Sequence, residues 1–208
     1  MEPQRRPGGR SARVREAVLD ATTAELAEHG YLGLNVDAVA QRAGVHKTTV
    51  YRRWRGPEGL VADALERALG QPWPIPDTGS LTGDLRALTA LLRDSFDDPD
   101  AAPLATAFII AGMHDPHAAA ALRAFYEARH RDAAVIVERA VARGELDPGV
   151  DGVETVRTAV APIFHRLFIT HEPVTAEDAR RAADAAAVLA SMSTGDRPHT
   201  DPRKPHAP

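Results

Sequence analysis

The chain has 208 residues, 44% of them hydrophobic and 26% charged, with a formal net charge of −4 and no cysteine. This composition suits a globular chain long enough for a substantial core, and it excludes disulfides, thiolate metal sites and a cysteine nucleophile. No run approaches the roughly 20 uncharged apolar residues of a membrane span, and Met1 to Arg10 lacks the apolar stretch of a secretory leader, so a cytoplasmic protein with no membrane partner is expected.

Apolar residues recur at intervals of three and four along nearly every long segment, and alanine is abundant, which predicts an all-α fold. The first helix is expected over Ser11 to Glu28, with Ser11 as N-cap, an apolar stripe of Val14, Ala17, Val18, Ala21 and Leu26, and a stop at Gly30. Asn35 then caps a helix over Val36 to Ala43, and Gly44 ends it. A short helix from Lys47 to Trp54 follows, and Pro57 opens another that runs through Leu69. The segment GQPWPIPDTG, residues 70–79, holds three prolines and no helical pattern, which places a domain border there. Beyond it, Leu81, Leu85, Leu88, Leu92 and Phe96 form one helical stripe, and Ala101 to Ala111 forms a shorter helix. The longest helix is expected from His117 to Arg143. Two more follow over Asp151 to Thr170, where Pro162 should bend the axis, and over Thr175 to Ser193. The organisation is thus a basic arm over 1–10, a first domain over 11–70, a second over 80–193, and a tail over 194–208 that reads as disordered.

The chemistry concentrates in VDAVAQRAGVHKTTVYRRW, Val36 to Trp54. Two short helices joined by a three-residue turn containing glycine have the dimensions of a helix-turn-helix, which presents its second helix to the major groove of DNA. Val36, Val39, Ala40, Ala43, Val45 and Val50 are apolar at the spacing that packs two short helices on a third. Lys47, Thr48, Thr49, Tyr51, Arg52 and Arg53 remain outward, and such side chains donate to phosphates and base edges. A merely solvated basic face is the alternative. Charge partition supports DNA: up to Arg55 there are ten Lys/Arg against six acids, or +4, whereas the remaining 153 residues carry 15 against 23, or −8.

Residues 15–60 resemble the DNA-binding domain of TetR-type transcriptional regulators. The pattern stands here as Val18, Ala21, Leu26, Gly30-Tyr31, Val36, Val39-Ala40, Ala43-Gly44-Val45, Lys47, Val50-Tyr51, Trp54 and Leu60. A looser resemblance to one branch of that family lies in Arg143-Gly144-Glu145-Leu146, in Pro162 to Leu167 and in Glu172-Pro173. The resemblance implies an N-terminal three-helix unit that binds double-stranded operator DNA and a larger helical domain that dimerises and binds a small-molecule effector, with no cofactor and no enzymatic activity. It further implies that Asn35 and Tyr51 hold phosphates, that Lys47 and Thr48 reach bases or phosphates, and that Thr49 and Arg52 share the groove-facing side. Arg5, Arg6, Arg10 and Arg13 would form a basic arm along the duplex. Two positions depart from the family pattern: His46 stands where a serine commonly caps the recognition helix, and Pro57 where a lysine commonly contacts phosphate, leaving Arg55 to take that role.

In the second domain the resemblance places an effector cavity among the helices from Leu81 onward, for which Leu88, Leu92, Phe96, Phe108, Met113, His114, Phe125, Tyr126 and His165 are candidates. The last two helices are the expected dimer interface, with Val156, Val160, Ile163, Leu167, Val188, Leu189 and Met192 as candidates; core packing within one subunit is the alternative for them. No metal is expected, because His114 and His117 straddle Pro116 and no two-ligand helical spacing occurs. The acyl-transfer elbow and the phosphate-cradling loop are also missing from the sequence. The competing reading of the whole is a helical small-molecule or protein-binding module with a vestigial helix-turn-helix, predominantly repressive regulation being the reading the family favours.

Overall fold

The structure is a computed structural model and describes residues 9–192; Arg5, Arg6 and the tail from 194 onward lie outside the described residues. Those described residues form helices joined by turns, without a strand. In chain order they are α1 (Arg10–His29), α2 (Val36–Arg42), α3 (Lys47–Trp54), α4 (Pro57–Leu69), α5 (Leu81–Asp97), α6 (Ala102–His114), α7 (Pro116–Ala133), α8 (Val135–Ala142), α9 (Gly152–His165) and α10 (Ala176–Met192). Two compact units divide the chain. One runs up to Pro74 and includes Asp94–Arg129; the other comprises Ile75–Arg93 and the residues from His130 onward.

The first unit is built on α1. Val18, Leu19 and Leu26 of α1, Val36 and Val39 of α2, Val50 and Trp54 of α3, and Leu60, Val61 and Leu65 of α4 are buried in one core, and Ala107, Phe108 and Ala111 of α6 and Ala118 of α7 belong to that same core. Burial of so many aliphatic side chains on one stripe per helix is what holds short segments helical, since a helix of seven or eight residues does not persist in water alone. Asn35 caps α2 by accepting hydrogen bonds from the N–H groups of Asp37 at 2.8 Å and Ala38 at 3.3 Å. Gly44, at φ +66°, supplies the left-handed residue that ends α2. The expected Ser11 cap is not used: α1 begins one residue earlier, with Gly9 preceding it and no side-chain cap.

In the second unit α9 packs along α10. Val156, Ala159, Val160 and Ile163 are buried on α9, and Ala179, Ala182, Ala183, Ala186 and Ala190 are buried on α10. Alanine at nearly every inward position lets the two axes approach closely. The turn after α8 ties to the start of α5, where the Glu145 carboxylate accepts the N–H of Leu81 at 2.8 Å. Inside that corner the buried Asp84 accepts from the Thr78 hydroxyl at 2.7 Å.

Two sequence expectations need correction here. The span His117 to Arg143 is not one helix but α7 and α8, interrupted at Ala134, where the N–H of Ala134 bonds to Arg131 and His130 together and that of Val137 bonds back to Ala134. The span Asp151 to Thr170 is α9 followed by a π-helical turn over Arg166–Thr170, and α9 continues through Pro162 to His165.

Candidate nucleic-acid interface

α3 divides its side chains by face. Val50 and Trp54 are buried, whereas Lys47, Thr48, Tyr51, Arg52 and Arg53 are exposed and Thr49 is half-buried. Tyr51 is 47% exposed although it is aromatic, so its ring is not part of the core. His46 occupies the N-cap without a side-chain cap bond, while its carbonyl accepts the N–H of Thr49 at 2.8 Å. Arg55 closes α3 in a left-handed conformation at φ 66°, and its N–H reaches back to the Tyr51 carbonyl at 2.9 Å.

A charged strut fixes the far end of α3. The Trp54 indole N–H donates to Asp63 Oδ2 at 2.8 Å, and Arg15 donates to the same carboxylate from α1 through Nε at 3.1 Å and through Nη2. The guanidinium of Arg15 is held above its ordinary pKa chiefly by that hydrogen bond. α4 also comes close to the end of α3: a Cβ on Gly59 would stand 2.0 Å from the Trp54 carbonyl oxygen. At the other end of the motif, Arg42 of α2 bonds both carboxylate oxygens of Glu28, at 2.8 and 2.6 Å, and lies 3.2 Å from Glu25. Neither Asp63 nor Glu25 was singled out by the sequence reading. Asp63 on α4 meets Trp54 of α3 and Arg15 of α1, and Glu25 on α1 meets Arg42 of α2, and no spacing within one helix marks such a partner.

Of the proposed DNA-contacting residues, Arg10, Thr49, Arg52 and Arg53 line one surface groove together with Ser11, Gln41 and His46. Arg53 also approaches the Ser11 hydroxyl at 3.5 Å and lies over the Trp54 ring at 5.1 Å from its centroid. Lys47 Nζ stands 3.3 Å from Asp37 Oδ2. Arg13 is exposed on the first turn of α1, and Asn35 is exposed with its Oδ1 already engaged as a cap. The site therefore offers a basic concave surface formed by the start of α1, the end of α2 and one side of α3, which is chemistry suited to a phosphate backbone beside a groove.

The candidates for an effector cavity fall in both units. Leu88, Leu92 and His165 belong to the second; Phe96, Phe108, Met113, His114, Phe125 and Tyr126 belong to the first. Phe96 lines a pocket with Leu26, Pro99, Thr106 and Ile110, whereas Phe125 lines another with Trp54, Leu65, His117 and Ala121. Met113 and His114 are exposed, and the His114 ring lies 6.3 Å from that of Tyr31. Burial drives the Tyr126 phenol up to about 12. The candidates for a dimer surface also separate: Val156, Val160 and Ile163 are buried within the subunit, as the core-packing alternative for them expects. Leu167 packs beside Ile163, while Val188, Leu189 and Met192 are exposed on α10. Among the described residues the one cluster with metal-ligand potential is Glu25, Glu28 and His29, and Arg42 already stands against both its carboxylates.

No helix among the described residues is long and apolar enough to cross a membrane. The family profile described as bacterial regulatory proteins, tetR family, matches residues 18–64, and that described as tetracyclin repressor-like, C-terminal domain, matches residues 75–186. The chain is 35% identical over 162 residues to the HTH-type transcriptional regulator AqdR of Rhodococcus erythropolis, covering 78% of this chain and 77% of that one. It is 33% identical over 164 residues to a DNA-binding transcriptional repressor, TetR, of Mycobacteroides abscessus, covering 74% and 81%. Among solved structures, the TetR family transcription regulator SCO0332 superposes with a TM-score of 0.63 at 30% identity, over 84% of this chain and 97% of that chain.

Proposed function

Because this chain belongs to the tetR family of bacterial regulatory proteins, whose members are DNA-binding regulators and not enzymes, we propose that it is a transcriptional repressor that leaves its operator when a small molecule binds. The observation that carries this reading is the sorting of α3, with Val50 and Trp54 inward, Tyr51 outward, and Arg52 and Arg53 outward in one groove with Arg10. The repressor named among its relatives supports the direction of control. The active species is a cytoplasmic homodimer that sets two copies of α3 in successive major grooves, about 34 to 36 Å apart on a pseudo-palindromic site. The effector binds the conformer with lower DNA affinity and shifts the population by its differential affinity.

A mobility-shift titration on the DNA upstream of its own gene tests the reading. Wild type should bind one palindromic segment, with affinity falling steeply as salt rises. Tyr51→Ala and Arg52→Ala should each lose that binding while retaining helical circular dichroism and dimeric size. If both variants bind as wild type does, α3 is not the recognition helix.

A further inference from the structure

We infer that Asp37 determines the specificity of the DNA interface by holding the ammonium group of Lys47, an inference that rests on the DNA-binding reading above. From Asn35 to Arg55 the chain carries five Arg and Lys residues and a single acid, Asp37. Arg42 is engaged with Glu25 and Glu28 on α1, so its charge is already answered. Asp37 stands in the first turn of α2, where the helix dipole favours a carboxylate. Its backbone N–H is fixed on Asn35 Oδ1 at 2.8 Å, and its Oδ2 lies 3.3 Å from Lys47 Nζ at the first residue of α3.

Stability does not account for this acid. The two side chains are 57% and 63% exposed, and ion pairs so open to water add little. On a surface that meets a polyanion, a carboxylate opposes binding wherever phosphates come within a Debye length. What it supplies is restraint. A lysine is a compact charge on a flexible four-carbon stem that reaches any nearby phosphate, and phosphate contacts carry no sequence information. Tethered to Asp37, the ammonium stays at the N-terminal end of α3, the end that meets base edges in helix-turn-helix docking. There a guanine O6 or N7 can share the ammonium with the carboxylate. Asp37 is accordingly a positioning residue that acts through Lys47.

The test compares full-length wild type, Asp37→Asn, Lys47→Ala and the double variant for affinity to the upstream palindrome and to a shuffled duplex of equal length, across a salt series. Asp37→Asn keeps the side-chain shape and the bond from its N–H to Asn35, and equal thermal melts establish that it folds. It should bind the shuffled duplex about threefold to fivefold more tightly, with a salt slope steeper by about 0.9 for one added phosphate contact, and with a lower ratio of specific to nonspecific affinity. In the Lys47→Ala background the same substitution should leave the ratio unchanged, with only a small equal gain on both duplexes from the lost negative charge. An unchanged ratio and slope in Asp37→Asn overturns the inference alone, as does a gain in the Lys47→Ala background as large as that with Lys47 present, which would make the acid a bulk repulsion. A wild type that binds neither duplex overturns the DNA-binding reading and this inference with it, whereas one that binds both equally overturns the inference and the operator-specific part of that reading.

Discussion

Asp63 receives two donors from two other helices, the indole N–H of the buried Trp54 and the guanidinium of Arg15. Its removal leaves a buried N–H without an acceptor and a half-buried cation without its counter-charge. Asp63→Ala should therefore destabilise the first unit by about 1 to 3 kcal/mol, read as a lower urea midpoint. Asp63→Asn keeps an acceptor for the indole and should lose less. If Asp63→Ala melts as wild type does, the strut is an ornament and α3 is held by Val50 and Trp54 packing alone.

The start of α10 is a reciprocal cap. Thr175 accepts from the Asp178 N–H at 3.1 Å, and the Asp178 carboxylate accepts from the Thr175 hydroxyl at 2.6 Å and its N–H at 3.0 Å. Together with Arg181 and Arg166, these donors hold the Asp178 carboxyl well below its ordinary range, the Thr175 hydroxyl being the largest influence. A carboxylate depressed in the folded state stabilises the fold fully above its unfolded value of about 3.9, and that contribution disappears as pH falls through the lower folded value. Stability of the second unit should thus decline in acid below about pH 4, and Asp178→Asn should flatten the decline. Thr175→Ala should cost about 1 kcal/mol at neutral pH. Equal acid profiles for wild type and Asp178→Asn would show that the cap is not coupled to stability.

At the scale of the whole molecule, the proposed homodimer would be built on what α9 and α10 leave uncovered. Val156, Val160 and Ile163 are spent on packing inside the subunit, whereas Val188 and Met192 are 58% and 67% exposed. Apolar side chains at neighbouring turns of one helix suit a two-fold, self-complementary contact. Val188→Glu is expected to yield a monomer in sedimentation experiments with unchanged far-ultraviolet circular dichroism, and to weaken operator binding because one half-site no longer supports the other. A Val188→Glu protein that sediments as a dimer would place the interface elsewhere.

The helix-turn-helix was legible in the sequence because it is local: Asn35, Gly44 and the inward Val36, Val39 and Val50 all act within about twenty residues, and short-range spacing specifies caps, turns and buried faces. The outward set on α3 followed from the same periodicity. Tertiary structure decided what depends on remote neighbours. The interruption at Ala134 has no proline or glycine to announce it; Gly152, eighteen positions later, comes so close that a Cβ there would stand 3.1 Å from that of Ala134. Likewise, α6 and α7 share the core of α1 to α4, and the partners of Trp54 and Arg42 come from other helices. By itself, then, the sequence determined which faces are apolar and where caps, glycines and prolines punctuate the helices, as at Asn35, Gly44 and Pro57. Which apolar face meets its own chain and which remains outward was set by packing, because hydrophobic burial is non-directional and does not choose its partner from spacing alone.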